Sequence, residues 1–237
     1  MGYALVVSIA ENLERVRARI TAAAARAGRD PAAVRLIGAS AAYKGVTPPQ
    51  MEAALDAGLR DFGENRVQEA EAHVADLGAR AAQATWHFIG HLQTNKVAAA
   101  LKLFAIIHSV DSLRLAEQLS RRASDQRAAG QDRLRILLEV NIAGEASKFG
   151  FTPAEVGEAV ACAGALPGLD LAGLMTVAPV RDDAEAVRPV FRQLRELARA
   201  NGLTELSMGM TDDFEVAIEE GATMVRVGRA IFGEWPA

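Results

Sequence analysis

Two segments near the end of the sequence combine residue types that can bind an anion. SMGMTDDF places Ser, Gly and Thr at a strand-to-helix turn, and VRVGRAIFG places Arg226, Gly228 and Arg229 at the next one. Glycine lets backbone N–H groups approach a phosphate, and the amino terminus of a helix attracts negative charge. Asp212 and Asp213 would repel a phosphate, although they favour the helix dipole, so we expect their side chains to point away from it.

Three other groups of residues could do chemistry, but each lacks a feature that its chemistry needs. His87 and His91 have the four-residue spacing of metal ligands on a helix, but their segment WHFIGHLQTNK is strand-like and offers no third ligand at ligand spacing. Ser40 lacks the G-x-S-x-G turn of a nucleophilic serine. Glu64 and Glu139 could pair for sugar hydrolysis, but the aromatic content of 5% is low for a sugar-binding surface. We therefore predict no metal site and no catalytic residue here.

Several sulfur-containing and imidazole side chains have a structural interpretation as well as a functional one. Met175, Met208 and Met210 either fill the core or contact a ligand. His108 stands at a predicted strand end, where we expect a hydrogen-bonded polar side chain. Cys162 is the single cysteine and lies in the apolar helical pattern EVGEAVACAGAL, which predicts a buried structural thiol. One cysteine allows no intramolecular disulfide, which fits a reducing cytosol.

The elements that position these residues alternate regularly along the chain. An amino-terminal helix begins near Ser8, whose spacing to Glu11 is that of a capping box, and it extends to Ala27, with Gly28 as its stop. The predicted strands are Arg35–Ser40, Asp61–Glu64, Trp86–Gly90, Ala105–Ser109, Arg135–Asn141, Asp170–Thr176, Glu205–Met208 and Met224–Val227. The predicted helices between them are Pro48–Ala57, Arg66–Ala82, Thr94–Leu103, Ser112–Ala129, Pro153–Ala163, Asp182–Ala200 and Asp212–Glu220.

This alternation predicts a parallel sheet, because each crossover between parallel strands needs a helix. Eight such units close naturally into a (β/α)8 TIM barrel, and the absence of a linker or a composition shift predicts one domain over residues 1–237. A doubly wound open sheet is the alternative, but its first turn would usually read G-x-G-x-x-G, whereas this chain has ASAAYKG. In a barrel, the functional residues lie at the carboxyl ends of the strands.

Composition and charge exclude several classes of protein. The net charge is −4 and the calculated pI is about 5.7, so we expect no nucleic-acid partner, and an anionic ligand would need a local site. The sequence has no apolar run of membrane-spanning length and its first residues lack the pattern of a signal peptide, which predicts a cytoplasmic protein without a membrane partner. Charge and composition are compatible with a monomer.

Seven segments carry a specific resemblance to a known family. In order they read GASAAYKG, DFGENRVQEA, WHFIGHLQTNK, HSVDS, EVNIAGEASKFGF, GLMTVAP and LSMGMTDDFEVAIEEGATMVRVGRAIFG. Through them the chain resembles the pyridoxal-phosphate homeostasis family (YggS/PROSC-like) over almost its whole length. The resemblance implies a barrel like the N-terminal domain of alanine racemase, binding of pyridoxal 5'-phosphate, and a role in vitamin B6 balance without established turnover. A pyridoxal-phosphate-dependent racemase is the alternative, but it would add a β-domain for which we expect no room in 237 residues.

The resemblance also implies which residues hold the cofactor. The family binds it through a lysine in a first-strand motif like V-S-K-T-K, and this chain reads Ala39-Ser40-Ala41-Ala42-Tyr43, so Ala41 occupies the lysine position. Arg226 matches the arginine that faces the pyridine nitrogen, and the turns at Ser207 and Gly228 match the phosphate loops. We therefore expect non-covalent binding, or an empty pocket that takes phosphate or sulfate instead. The predicted cofactor-binding residues are Ala41, Asn65, Met175, Ser207, Met208, Arg226, Gly228 and Arg229.

We predict that the protein forms no stable Schiff base with pyridoxal phosphate, because that bond needs a primary amine and position 41 is alanine. Lys44 is the nearby amine, and we expect it to lie beyond reach on a solvent-facing loop. Borohydride reduction followed by peptide mass analysis should find no specific adduct, whereas Ala41→Lys should create one at position 41. A stoichiometric adduct on Lys44 contradicts the prediction, and an unreactive Ala41→Lys variant means that the register of the first strand is wrong.

Overall fold

The computed structural model describes residues 8–40, 46–126, 133–145 and 147–233, and within these residues eight parallel strands form a closed barrel in chain order. The strands are β1 (Arg35–Ala39), β2 (Asp61–Glu64), β3 (Thr85–Phe88), β4 (Ile106–Val110), β5 (Leu134–Glu139), β6 (Leu169–Met175), β7 (Glu205–Ser207) and β8 (Met224–Val227). The helices are α1 (Ile9–Arg26), α2 (Pro48–Asp56), α3 (Val67–Leu77), α4 (Val97–Leu103), α5 (Leu113–Gln126), α6 (Val156–Gly164), α7 (Arg188–Ala200), α8 (Phe214–Glu219) and α9 (Arg229–Phe232).

The predicted (β/α)8 barrel with an amino-terminal helix is confirmed. Each predicted strand overlaps an observed one, with bounds that differ by no more than two residues. The alternative open sheet is wrong, because β1 pairs with β8 as well as with β2. The capping box at the start of α1 is also present, with the Ser8 and Glu11 side chains each accepting the other residue's backbone N–H.

Four predicted helix boundaries were wrong by three or more residues, each for a local reason. α4 and α7 begin at Val97 and Arg188 rather than at Thr94 and Asp182, because separate 3-10 turns over Thr94–Lys96 and Ala184–Val187 precede them. The helix predicted to run from Arg66 to Ala82 ends at Leu77, since Gly78 adopts a φ of 52° and starts a 3-10 turn over Gly78–Gln83. α6 begins at Val156 rather than at Pro153, because the Glu155 carboxylate accepts the Thr152 N–H and closes a separate turn. The predicted end of the Ser112–Ala129 helix lies outside the described residues beyond position 126.

The barrel has an apolar shell outside the strands and a mixed interior. The outer cluster joins strand side chains such as Phe62 to helix side chains such as Phe191. Inside, a smaller apolar cluster comprises Ile37, Ile106, Leu137, Met175 and Met224. Several buried polar side chains share this interior, among them His87, His108 and Arg226. None of the helices in the described part of the chain has the length and apolar character needed to span a bilayer.

α1 lies where the first and last parts of the described chain meet. It packs against α8 and α9, beside the β1–β8 pair that closes the barrel. Arg19 and Arg26 form ion pairs of 3.1 and 2.6 Å with Glu215 and Glu219 of α8. The Asn12 side chain donates a hydrogen bond of 3.0 Å to the Ile231 carbonyl of α9. The amino-terminal helix is therefore part of the barrel's closure.

The prediction of a buried Cys162 was wrong, because the thiol is exposed. The buried side of α6 consists of Val156, Ala159 and Ala163, which repeat at helical spacing, and Cys162 lies outside that stripe. The apolar run EVGEAVACAGAL contains more apolar residues than one helix face can bury, so composition alone did not identify the inward face.

We expect the Cys162 thiol to react with a water-soluble aromatic disulfide reagent in the folded protein, because it is exposed. One thiol per chain should be modified at close to the rate seen in guanidinium chloride. Cys162→Ala should abolish the signal and change the free energy of unfolding by less than about 0.5 kcal/mol. A thiol that reacts only after unfolding contradicts the exposed placement.

Candidate functional site

A cavity of about 740 Å³ opens at the carboxyl ends of the strands, where function is expected in this fold. This volume falls within the range of small-molecule sites in proteins. Its walls come from the ends of six strands and the loops that follow them. The lining residues are Ala39, Asn65, Arg66, Val67, Gln68, Phe88, Ile89, Gly90, His91, Leu92, Gln93, Lys96, Val177, Val180, Met210, Thr211, Asp212, Arg226, Gly228 and Arg229.

The cavity has the opposite charge to the protein as a whole. Among the described residues that line it, four are cationic, Arg66, Lys96, Arg226 and Arg229, and one is a carboxylate, Asp212. The chain itself carries a net charge of −4. A concave wall of one sign raises the local concentration of the opposite ion, so this cavity favours an anionic ligand.

Arg226 is the deepest of these cations and is 4% exposed. Its guanidinium donates to Ser207 Oγ at 2.7 Å and to the Thr176 carbonyl at 2.9 Å. Burial lowers the pKa of Arg226 to about 10, while the carboxylates of Asp213 and Glu139 oppose that shift. The guanidinium therefore keeps its positive charge at neutral pH.

The turn after β7 is held by its own side chains. Asp213 accepts the Met210 N–H at 2.6 Å, so this carboxylate closes the turn and does not line the cavity. Gly209 has a φ of 93°, and a Cβ there would lie 2.6 Å from the Ala217 Cβ. Burial raises the pKa of Asp213. The expectation that Asp213 points away from the anion site agrees with this geometry.

Asp212 differs from that expectation, since it lines the cavity. Its carboxylate forms an ion pair with the Arg229 guanidinium, which lies in the first turn of α9. Both side chains are well exposed, so the pair contributes little to stability. An incoming anion could compete with Asp212 for Arg229.

The predicted cofactor-binding residues divide between the cavity and the core. Asn65, Arg226, Gly228 and Arg229 line the cavity together. Met175 packs in the inner apolar cluster, Met208 packs in the outer one, and Ser207 lies buried beneath Arg226. Met210, which had the same two interpretations as Met175 and Met208, lines the cavity. Ala41 and Lys44 lie outside the described residues.

The loops after β2 and β3 contribute more to the cavity than the sequence interpretation assigned to them. Arg66, His91 and Lys96 all line it, and each follows a strand end within FGENR or IGHLQTNK. The two loops touch closely, since a Cβ on Gly90 would lie 2.3 Å from the Asn65 carbonyl oxygen. In the sequence, these three residues could have been identified by their positions shortly after predicted strand ends.

The two histidines at four-residue spacing have separate surroundings. His87 is fully buried and contacts His108 and Asp61 inside the barrel. His91 lies at the rim, where it pairs with Asp111 at 2.9 Å and stacks on Phe149 with ring centres 3.9 Å apart. Among the described residues, no group of three or more His, Cys, Asp or Glu side chains could hold a metal ion.

A second polar cluster lies around Glu64 at the end of β2. Ser40 Oγ lies within hydrogen-bond distance of the buried Glu64 carboxylate and of the Gly63 carbonyl, so its single hydrogen has two buried acceptors. His73 Nδ1 lies 2.8 Å from the same carboxylate oxygen of Glu64. Glu139, the other carboxylate considered for sugar chemistry, has different neighbours. Burial, followed by the Asp111 charge, raises its pKa.

Comparison with known proteins identifies the class of this barrel. The family model of the N-terminal domain of alanine racemase matches residues 11–236. An alanine racemase of Clostridium difficile superposes with a TM-score of 0.72 over 96% of this chain and 58% of its own, at 14% identity, which shows the shared fold alone.

Closer relatives define the family within that class. The pyridoxal phosphate homeostasis protein of Pseudomonas aeruginosa is 45% identical over 231 residues, which cover 95% of each chain. The PipY protein of Synechococcus elongatus, solved with pyridoxal phosphate bound, is 36% identical, with a TM-score of 0.80 over 95% of this chain and 100% of its own. The chain belongs to the pyridoxal phosphate homeostasis protein family.

We expect His73 to stabilise the protein more at low pH than at high pH. The hydrogen bond to Glu64 raises the pKa of His73 above its ordinary value of 6.5, so the protonated form favours the folded state. This stabilisation is complete below the ordinary pKa and is lost as the pH rises through the raised one. The difference in unfolding free energy between wild type and His73→Gln should therefore be larger at about pH 5.5 than at about pH 8.5. A difference that is constant or grows with pH contradicts this assignment.

Proposed function

We propose that this protein binds pyridoxal 5'-phosphate without a covalent bond and serves in its homeostasis without catalytic turnover. The observation that carries the proposal is the cationic cavity at the carboxyl end of a barrel whose net charge is negative. The family supports the same ligand, since the PipY neighbour was solved with pyridoxal phosphate bound. We propose residues 1–237 as one binding domain that acts as a monomer.

The phosphate is proposed to lie at the start of α9, near Gly228 and Arg229. The N–H groups of Ile231 and Phe232 donate to the Gly228 carbonyl, so Arg229 and Ala230 are the α9 residues whose N–H groups are proposed to face the anion. Arg229 can exchange its exposed pairing with Asp212 for the phosphate. Met210 and Thr211 line the same side of the cavity from the turn after β7. This arrangement fits a dianion better than a neutral ligand.

The ring of the ligand is proposed to lie between Arg226 and Asn65. Arg226 is fixed by two hydrogen bonds and remains charged, so it presents a rigid donor to a ring nitrogen. Asn65 lies on the adjoining wall, where the β2 and β3 loops meet. Met175, Ser207 and Met208 are proposed to act from beneath, by shaping the floor that carries Arg226.

Binding of pyridoxal phosphate without a Schiff-base lysine would distinguish this chain from the usual family pattern. Pyridoxal phosphate supplies an aldehyde that reacts with amines, and Ala41 cannot provide one. The phosphate and ring contacts would then supply the binding energy, and the aldehyde would remain available to other amines. Lys96 brings an amine to the described cavity wall, so the borohydride experiment must also inspect the peptide that contains it.

A racemase is the second candidate, since the fold is that of the alanine racemase N-terminal domain. Racemisation needs a base beside the substrate carbon, and the lysine of the family pattern is the group that Ala41 replaces. Incubation with pyridoxal phosphate and L-alanine, followed by chiral chromatography, separates the two functions. We expect no D-alanine above the level produced by free pyridoxal phosphate.

We expect pyridoxal phosphate to bind with a spectral change and pyridoxal to bind at least about tenfold more weakly, because pyridoxal lacks the phosphate. Gly228→Val should weaken pyridoxal-phosphate binding by a similar factor, since it fills space beside the proposed phosphate position. Gly164→Val is the matched control, because a Cβ at the end of α6 meets nothing within 4 Å. Equal affinity for both vitamers, or an unchanged Gly228→Val variant, argues against this site.

A further inference from the structure

A column of hydrogen-bonded side chains crosses the interior of the barrel from Arg226 to the opposite end. Arg226 contacts Ser207 Oγ at 2.7 Å, and Ser207 Oγ contacts His108 Nδ1 at 2.8 Å. His108 Nε2 lies 2.9 Å from His87 Nδ1, and His87 Nε2 lies 2.9 Å from Asp61 Oδ1. β4 and β7 are not neighbours in the barrel, so the His108–Ser207 contact passes through the interior.

The column joins the two ends of the barrel. Arg226 lines the cavity at the carboxyl ends of the strands. Asp61 is the first residue of β2, where its side chain is 21% exposed and lies 3.8 Å from Arg35 at the start of β1. The strands are parallel, so these two residues lie at opposite mouths. The side chains between them are buried.

For neutral imidazoles, the chemistry of the two ends fixes the direction of every hydrogen bond. Arginine only donates, so Ser207 Oγ accepts from Arg226 and has its single hydrogen available for His108 Nδ1. His108 must then donate from Nε2 to His87 Nδ1, and His87 must donate from Nε2. Its acceptor is the Asp61 carboxylate, which only accepts when ionised. The reverse order would place an imidazole lone pair against that carboxylate.

Both histidines must be neutral in this arrangement. A second proton on His87 would place its Nδ1–H against the Nε2–H of His108. Burial lowers the pKa of both side chains, which agrees with the neutral form. With both rings neutral, donors and acceptors match along the whole column only when His87 and His108 are Nε2–H tautomers. A column with one permitted proton order is rigid, because reversing the direction of one hydrogen bond requires reversing the others.

We propose that His87 and His108 are positioning residues that hold the Arg226 guanidinium toward the ligand cavity and connect it to the Asp61 carboxylate at the far mouth. The column extends the ligand site by two residues that do not line the cavity. Its importance for the ligand rests on the proposed function, in which Arg226 faces the bound ring. The geometry of the column itself does not depend on the ligand.

The first test measures the proton order directly, without ligand. In protein labelled with 15N-histidine, nitrogen chemical shifts distinguish the two neutral tautomers and the charged form for each of the four histidines. We expect His87 and His108 to be neutral Nε2–H tautomers between about pH 5.5 and pH 8. An Nδ1–H tautomer or a charged ring at either position overturns the proposal.

The second test measures the positioning of Arg226 in variants. His108→Phe removes the column at its centre, and Asp61→Asn replaces its fixed acceptor by an amide that also donates. Ile107→Ala is the control, because Ile107 is adjacent in sequence but packs in the outer cluster. We expect the Arg226 guanidinium protons to exchange slowly with solvent in wild type and Ile107→Ala. In both column variants their exchange should be at least about tenfold faster, equivalent to a free-energy change of about 1.4 kcal/mol.

Unchanged exchange in both column variants overturns the positioning role, and the wild-type tautomers remain a test even if His108→Phe does not fold. A separate titration with pyridoxal phosphate distinguishes this proposal from the proposed function. If the wild-type protein shows the expected tautomers but binds no pyridoxal phosphate, the proposed function is contradicted, whereas the proton order of the column is still supported. Binding that is equally tight in wild type, control and column variants contradicts the link between column and ligand.

Discussion

The positive charge of Arg226, buried inside the barrel, is the constraint on which the site depends. Removing a cation from water costs several kcal/mol unless hydrogen bonds and nearby carboxylates offset that cost. Ser207 Oγ and the Thr176 carbonyl accept hydrogen bonds from its N–H groups, while the carboxylates of Asp213 and Glu139 favour its positive charge. These partners come from several parts of the chain, so holding one guanidinium fixes the relative placement of several strand ends.

That constraint explains why the barrel interior is only partly apolar. An interior filled by branched aliphatic side chains would maximise burial, and Ile37, Ile106 and Leu137 provide part of such a filling. The remaining space holds His87 and His108, which satisfy each other and the groups on either side. A fully connected polar network of this kind can specify one arrangement, whereas a partly satisfied one would be costly. The outer apolar shell then supplies most of the burial that stabilises the fold.

The sequence predicted the fold well and the site in part, for a physical reason. Alternating short strands and helices are local patterns, so the eight strands could be located to within two residues. Their positions at predicted strand ends then indicated Asn65, Arg226 and Gly228 as site residues, and all three line the cavity. The His108–Ser207 bond joins residues 99 positions apart, and no local pattern reports such a contact. For the same reason, the inward face of α6 was misjudged at Cys162, since neighbouring helices decide which face is covered.

The pairing of β1 with β8 has a consequence for how the chain folds. The first strand remains an open edge until the last described strand has been made, so closure requires contact between segments from opposite ends of the described chain. Such long-range pairing raises contact order and slows folding relative to a helical bundle. Until closure, β1 exposes unpaired backbone groups that other chains can recognise. The ion pairs between α1 and α8 lie beside the β1–β8 pair. If the chain were cut elsewhere in the barrel wall, these contacts would still hold the first and last parts of the described chain together.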